Sequence, residues 1–117
     1  MILFGISNCD TVRKAKKYLE SQSLSFEFHD FRKNGLDAET VTHWLNKVDS
    51  KSLVNKRSTS WRALDDSQKA LLSSDQLSAE AVQILLAQPT LIKRPVLQTD
   101  NQVLLGFKEA DYIKALA

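Results

Sequence analysis

The sequence predicts an α/β fold in which a mixed four-stranded sheet carries helices on its faces and is interrupted by a helical insertion. Strand and helix patterns alternate from Met1 to about Asp30, and an antiparallel hairpin followed by a helix closes the chain. Between them, from about Asp37 to Gln88, apolar residues follow helical spacing without a convincing strand. The predicted order is therefore βαβ, helical insertion, ββα.

The N-terminal segment has a strand–helix–strand pattern. Met1 to Gly5 is a nearly continuous apolar run, typical of a strand that is covered on both faces. Thr11 to Gln22 has the spacing of an amphipathic helix, and Phe26 to His29 alternates with the period of a half-exposed strand at a sheet edge. A helix between two strands this close in sequence implies a right-handed crossover and parallel pairing. The predicted inner face of the helix consists of Val12, Ala15 and Leu19.

The middle segment is predicted to be a helical insertion, because roughly fifty residues are too many for a simple connection. Asp37 is placed to cap its first helix, and a loop over Asn55 to Ser60 follows. A short helix is predicted to begin at Asp65 or Asp66 and to continue through Leu71, and Ser78 caps a last helix that stops before Pro89. The predicted apolar face of the first helix consists of Val41, Trp44, Leu45 and Val48.

The C-terminal segment is predicted to be a hairpin and a helix. Pro95 to Leu97 and Val103 to Leu105 are apolar triplets, and Asp100-Asn101 between them has the chemistry of a turn. A last short helix is predicted over Glu109 to Leu116. Its predicted inward residues are Ile113 and Leu116.

Composition narrows the class of protein. A chain of 117 residues is expected to form one domain, here residues 1–117 with the insertion at 37–88 inside it. A net charge of +2 does not indicate a nucleic-acid partner, and no apolar run approaches the ~20 residues of a membrane helix.

The chain opens on a strand pattern without a cationic leader, and its single cysteine forms no internal disulfide, so we expect a cytoplasmic protein. His29 and His43 lack metal-ligand spacing, so no metal site is expected.

Cys9 is the principal candidate for chemistry. It lies between the first strand and the first helix, where unpaired backbone N–H groups and the positive end of the helix dipole favour an anion. This setting lowers a thiol pKa and exposes the thiolate, which is the nucleophilic form. The alternative, a small buried apolar residue, is disfavoured by the polar neighbours on both sides of Cys9.

The order of elements is the thioredoxin-like pattern. Five segments occur in order along nearly the whole chain, which are Gly5–Thr11, Phe28–Arg32, Lys56–Trp61, Leu91–Pro95 and Leu105–Phe107. Through these segments the chain resembles the arsenate-reductase-like ArsC/Spx superfamily, in particular its YffB-type proteins.

The resemblance implies a site. Cys9 takes the place of the catalytic nucleophile, and Arg94 that of an arginine that holds the substrate oxyanion near the thiol. Pro95 is expected to follow a cis peptide bond and to lie near Cys9. Asn8 and Arg57 complete the expected substrate-binding residues, with Arg57 matching its position only after a shift along the loop.

The resemblance implies a glutathione-dependent thiol oxidoreductase that acts on an oxidised small molecule or a protein disulfide. No bound cofactor is expected. Because the chain has no second cysteine, glutathione as co-substrate, or a glutaredoxin, must complete the turnover of a monomeric protein. Two alternatives stay open. One is an arsenate reductase, although Leu105-Gly106-Phe107 contains no arginine where that activity uses one. The other is an Spx-like module that docks on RNA polymerase without turnover, although Val12 replaces the second cysteine of the Spx pair.

Overall fold

The computed structural model describes residues 1–116, which form two compact units. The first unit contains Met1–Gly35 and the chain from Arg94 onward, and the second contains Leu36–Lys93. None of the described helices is both long enough and apolar enough to cross a membrane.

The first unit contains a four-stranded sheet with the order β2-β1-β3-β4. The central strand β1 pairs with β2 in parallel and with β3 in antiparallel orientation, and β3 pairs with β4 as a hairpin. The predicted mixed sheet, the parallel pairing and the edge position of the second strand are therefore confirmed. The strands are β1 (Ile2–Gly5), β2 (Glu27–Asp30), β3 (Val96–Gln98) and β4 (Val103–Leu105).

Helices connect the strands and make up most of the second unit. Most of them begin with an aspartate or serine whose side chain accepts a backbone hydrogen bond, as at Asp37, Asp65 and Ser78. The helices of residues 1–116 are α1 (Asp10–Ser21), α2 (Phe31–Asn34), α3 (Ala38–Lys47), α4 (Ser50–Leu53), α5 (Thr59–Arg62), α6 (Asp66–Leu72), α7 (Ala79–Ala87), a 3₁₀ turn (Pro89–Leu91) and α8 (Glu109–Leu116).

The second unit differs in detail from the sequence prediction. Short helices such as α4 and α5 were not predicted, because four residues carry too little periodicity to detect. Helix α3 buries Val41 and Trp44 but ends at Lys47, which leaves Val48 outside the helix and only half-buried. Val54 and Ile92 form an isolated antiparallel bridge that ties the middle of this unit to its end.

One face of the sheet in the first unit packs against α1 and α8. Leu3, Ala15, Leu19, Leu97 and Tyr112 form a buried cluster there. The expectation that Ile113 points inward is wrong, because Ile113 is 53% exposed and its neighbour Tyr112 is 1% exposed. One residue along a helix rotates a side chain by about 100°, so the packing of α8 against the sheet, not its composition, sets which residue is buried.

Tyr112 carries a hydroxyl group that has no hydrogen-bond partner among the described residues. Its ring is held edge-on by Tyr18 and Phe107, at centroid distances of 5.9 and 4.8 Å. Burial raises the pKa of Tyr112 well above its ordinary value, so the hydroxyl stays neutral. A buried hydroxyl without a partner destabilises the folded state.

Replacing Tyr112 with Phe is therefore expected to raise the free energy of unfolding by about 1 kcal/mol, because the ring contacts stay and the unsatisfied hydroxyl is removed. Urea denaturation measures the effect. Tyr18→Phe serves as the control, with little expected change because Tyr18 is only half-buried. A loss of stability in Tyr112→Phe would show that the hydroxyl has a partner, such as a bound water.

Candidate functional site

Cys9 lies at the junction of β1 and α1. The turn Ile6-Ser7-Asn8 leaves the end of β1, and Cys9 is the residue that caps α1, with extended backbone angles of φ −98° and ψ 128°. Its N–H donates to the carbonyl of Ile6 at 3.2 Å, and its own carbonyl accepts from the N–H of Arg13 at 3.0 Å. The half-buried thiol is therefore held at the start of the helix, as the sequence predicts.

The surroundings of the thiol favour its anion. Desolvation by burial raises the pKa of Cys9, but the backbone N–H groups of Val12 and Thr11, together with a hydrogen bond and the charge of Arg94, lower it below its ordinary value. Both N–H groups belong to the first turn of α1, where the positive end of the helix dipole also favours an anion.

Asp10, the neighbour of Cys9, places a carboxylate in the first turn of α1. Its carboxylate is paired with the guanidinium of Arg13, one turn along α1. An ion pair of this kind offsets the negative charge beside Cys9. The negative charge that the sequence places beside Cys9 is therefore partly offset by Arg13.

Arg94 and Pro95 lie directly before β3, and a site role for Pro95 stays a prediction. The Arg94–Pro95 peptide bond is cis, which confirms the prediction. The carbonyl of Pro95 accepts a hydrogen bond from the N–H of Gly106 at 2.9 Å, and Gly106 has a positive φ of 71° that suits glycine. The hairpin thus holds the backbone after Arg94 while the Arg94 side chain interacts with the thiol.

The other two predicted binding residues have different surroundings. Asn8 is an exposed residue of the turn directly before Cys9. Arg57 belongs to the second unit, where it is exposed and its N–H donates to the Asn55 side chain at 3.1 Å. The ammonium group of the neighbouring Lys56 lies 5.3 Å from the ring centroid of Trp61, which is half-buried. A substrate-binding role for Asn8 and Arg57 stays a prediction.

Sequence reasoning assigned no role to Asp30 or Ser7. Asp30 is the last residue of β2, is only 4% exposed, and interacts with Ser7 in the turn that leads to Cys9. The only sequence signal was an aspartate at the end of a strand, within a segment already used for the family resemblance. Its proximity to the turn depends on the register in which β1 and β2 pair, which the sequence does not show.

The described residues offer no other obvious centre of chemistry. Within residues 1–116, no cluster of three or more His, Cys, Asp and Glu side chains is arranged to hold a metal ion. A cavity of about 330 Å³ lies within the second unit, between α3, α4 and the start of α7. Its lining includes Leu45, Val48, Ser50 and Asp75, but none of the five predicted site residues.

The comparison with known families decides the membership of this chain. The model of the ArsC family matches residues 4–115, which is nearly the whole chain. The chain belongs to the ArsC family. The ArsC match includes both Cys9 and the Arg94-Pro95 pair, so these residues lie within the region that defines the family.

Proteins that are similar to this chain along most of its length carry different names. An uncharacterised protein of Haemophilus influenzae is 42% identical over 115 residues, which are 98% of this chain and 97% of that protein. A solved structure named as the YFFB protein has a TM-score of 0.87 at 37% identity, over 99% of this chain and 98% of its own. The global transcriptional regulator Spx of Streptococcus agalactiae is 27% identical, over 97% of this chain and 80% of its own length. A protein named as a transcriptional regulator is thus among the relatives of this chain.

Proposed function

We propose that this ArsC-family protein is a glutathione-dependent thiol oxidoreductase with Cys9 as its single nucleophile. The observation that carries the proposal is the setting of the thiol: Cys9 occupies the N-cap position of α1 and its side chain interacts with the Arg94 guanidinium, so the pKa of the thiol is lowered. A thiol with a lowered pKa provides more of the nucleophilic thiolate at neutral pH.

The proposed reaction is thiol–disulfide exchange. The Cys9 thiolate attacks one sulfur of a substrate disulfide, a new S–S bond forms to Cys9, and the other substrate sulfur leaves as a thiolate that takes up a proton. The thiolate of one glutathione then attacks the substrate sulfur, which releases Cys9 as a thiolate and leaves the substrate joined to glutathione. A second glutathione frees the substrate thiol, so two glutathione thiols become one glutathione disulfide.

Arg94 supports two parts of this reaction. Its positive charge stabilises Cys9 as the attacking thiolate and again as the leaving thiolate. Its planar guanidinium group also suits a carboxylate, which glutathione provides at both ends, or another oxyanion. Glutathione is most available in the cytoplasm, where thiols are kept reduced, so the proposal places the protein there.

The proposal is tested by measuring the pKa of the Cys9 thiol and its reaction with oxidised glutathione. The pKa of Cys9 is obtained from the rate of alkylation by iodoacetamide, measured from about pH 5 to about pH 10. We expect this pKa to lie below the free value of about 8.5. Mass spectrometry after treatment with oxidised glutathione is expected to show one added glutathione per chain. Cys9→Ser is the control, with no adduct. A pKa near the free value, or a protein that resists glutathionylation, would contradict the proposal.

A second candidate is an Spx-like module that docks on RNA polymerase. It is favoured by the match to Spx regulators along most of this chain. It requires no lowered thiol pKa, because docking does not use a nucleophile. Capture of RNA polymerase by the Cys9→Ser variant, together with an unreactive thiol in the wild type, would favour this candidate over the oxidoreductase.

Arsenate reduction is a third reading of the same site. It would use the Cys9 thiolate and the Arg94 guanidinium on an arsenate oxyanion in place of a disulfide. Leu105-Gly106-Phe107 offers no cationic side chain for that anion. A glutathione-coupled assay with arsenate, beside one with a disulfide substrate, distinguishes the two activities.

A further inference from the structure

We propose that Asp30 is a positioning residue for the nucleophile, which it holds in place through Ser7 without touching the thiol. This inference rests on the proposed thiol chemistry of Cys9 and adds a residue that acts on it from the neighbouring strand.

Strand pairing brings Asp30 to the start of the Cys9 turn. In the parallel register of β1 and β2, the last residue of β2, Asp30, lies opposite the last residue of β1, Gly5. The chain leaves Gly5 through Ile6 and Ser7, and Ile6 is 4% exposed. Asp30 is therefore placed beside the turn at the point where it departs from the sheet.

The Asp30 carboxylate is a buried anion surrounded by donors. One of its oxygens accepts the N–H groups of Arg32 at 2.8 Å and Lys33 at 3.3 Å, at the start of α2. The hydroxyl and the backbone N–H of Ser7 also interact with the carboxylate and favour its ionised form. Burial raises the pKa of Asp30, but these donors lower it below its ordinary value, so the group is ionised at neutral pH.

This arrangement fixes the turn at its middle residue. Ile6 anchors one side in the core, the start of α1 anchors the other, and Asp30 holds Ser7 between them. Hydrogen bonds to an ionised acceptor are stronger than those between neutral groups. If Ser7 is released, the thiol loses its alignment with the N–H groups of Thr11 and Val12 and with Arg94, which lower its pKa.

Positioning and simple electrostatics predict opposite results when the Asp30 charge is removed. A nearby carboxylate by itself disfavours a thiolate, so its removal by electrostatics alone would lower the Cys9 pKa. If Asp30 acts by holding Ser7, the Asp30→Asn variant has a higher Cys9 pKa. The direction of the shift therefore separates a positioning role from a charge effect.

The test is the pH dependence of Cys9 alkylation by iodoacetamide in Asp30→Asn, Ser7→Ala and Ser7→Thr. For Asp30→Asn we expect alkylation at neutral pH to be about three- to tenfold slower, because the thiolate fraction falls tenfold for each unit of pKa. Ser7→Ala is expected to shift the pKa in the same direction by less, because its backbone N–H remains. Ser7→Thr keeps the hydroxyl and is expected to match the wild type.

Asp49→Asn is the matched control. Asp49 also caps a four-residue helix, α4, where it accepts the N–H of Ser52 at 2.8 Å, but it belongs to the second unit. We expect it to leave the Cys9 pKa unchanged. An unchanged or lowered pKa in Asp30→Asn would overturn the inference. If that variant does not fold, equal pKa values in Ser7→Ala and Ser7→Thr would overturn it instead.

The readout keeps this inference separate from the proposed function. Alkylation depends on the thiol alone and needs neither glutathione nor a substrate. A wild-type protein that resists glutathionylation would contradict the oxidoreductase proposal, whereas the shift between wild type and Asp30→Asn still decides the role of Asp30.

Discussion

Replacing Arg94 with Ala is expected to raise the pKa of Cys9 and to slow its alkylation at neutral pH by about tenfold or more. Arg94 lowers the thiol pKa in two ways, by a side-chain hydrogen bond to the sulfur and by its positive charge. The substitution removes both, and the desolvation that raises the pKa of the thiol remains.

The pH dependence of the alkylation rate distinguishes a raised Cys9 pKa from a general loss of thiol reactivity. Alkylation of the variant is expected to be slower than that of the wild type at neutral pH and to approach it at high pH, where both thiols are fully ionised. Arg94→Lys keeps the charge but not the planar fork, so we expect an intermediate pKa.

Lys93→Ala is the matched control, because it removes the adjacent positive charge from a side chain that is exposed to solvent. A pKa close to that of the wild type is expected. A Cys9 pKa that does not change in Arg94→Ala would show that the guanidinium does not stabilise the thiolate.

Replacing Gly5 with Ala is expected to destabilise the protein by about 1–3 kcal/mol, the range found when a methyl group is forced into a packed core. A Cβ at Gly5 would lie 2.7 Å from Cγ2 and 3.4 Å from Cγ1 of Val12. Val12 is fully buried, and a β-branched side chain in a helix has essentially one rotamer, so it cannot move aside. The first turn of α1 must shift instead.

A shift of α1 also moves the thiol, because Cys9 caps this helix. We therefore expect a higher Cys9 pKa in Gly5→Ala as well as a lower free energy of unfolding. Urea denaturation and the alkylation profile measure the two effects.

A double-mutant cycle with Val12→Ala tests the cause. If crowding is responsible, the double variant is less destabilised than the sum of the two single variants. Additive effects would show that the methyl group at residue 5 acts by some route other than contact with Val12.

Local patterns were sufficient to predict most elements of the first unit. The apolar run of β1, the helical spacing of α1 and the turn between β3 and β4 each depend on residues close in sequence. The position of Cys9 at the start of a helix follows from the same local information. The expected roles of Arg94 and Pro95 came instead from the family resemblance, because nothing local connects them to a cysteine about eighty-five residues earlier.

The second unit shows where local patterns give less information. The capping residues Asp37 and Ser78 identified the starts of two helices correctly, because a cap is a contact between near neighbours; of the two candidates for a third start, the structure has Asp65 as the cap. The four-residue helices and the bridge between Val54 and Ile92 were missed. They depend on packing and on a contact between residues far apart in the chain.

The sequence by itself determined the α/β class, the order of the elements and a single thiol at a helix start, because periodicity and capping are local properties. Tertiary structure decided that Tyr112 and not Ile113 is buried, since the rotation of α8 depends on the sheet it packs against. It also decided that Asp30 lies beside the Cys9 turn. That contact exists because the parallel register places Asp30 opposite Gly5, and register depends on the pairing of two strands separated by a whole helix.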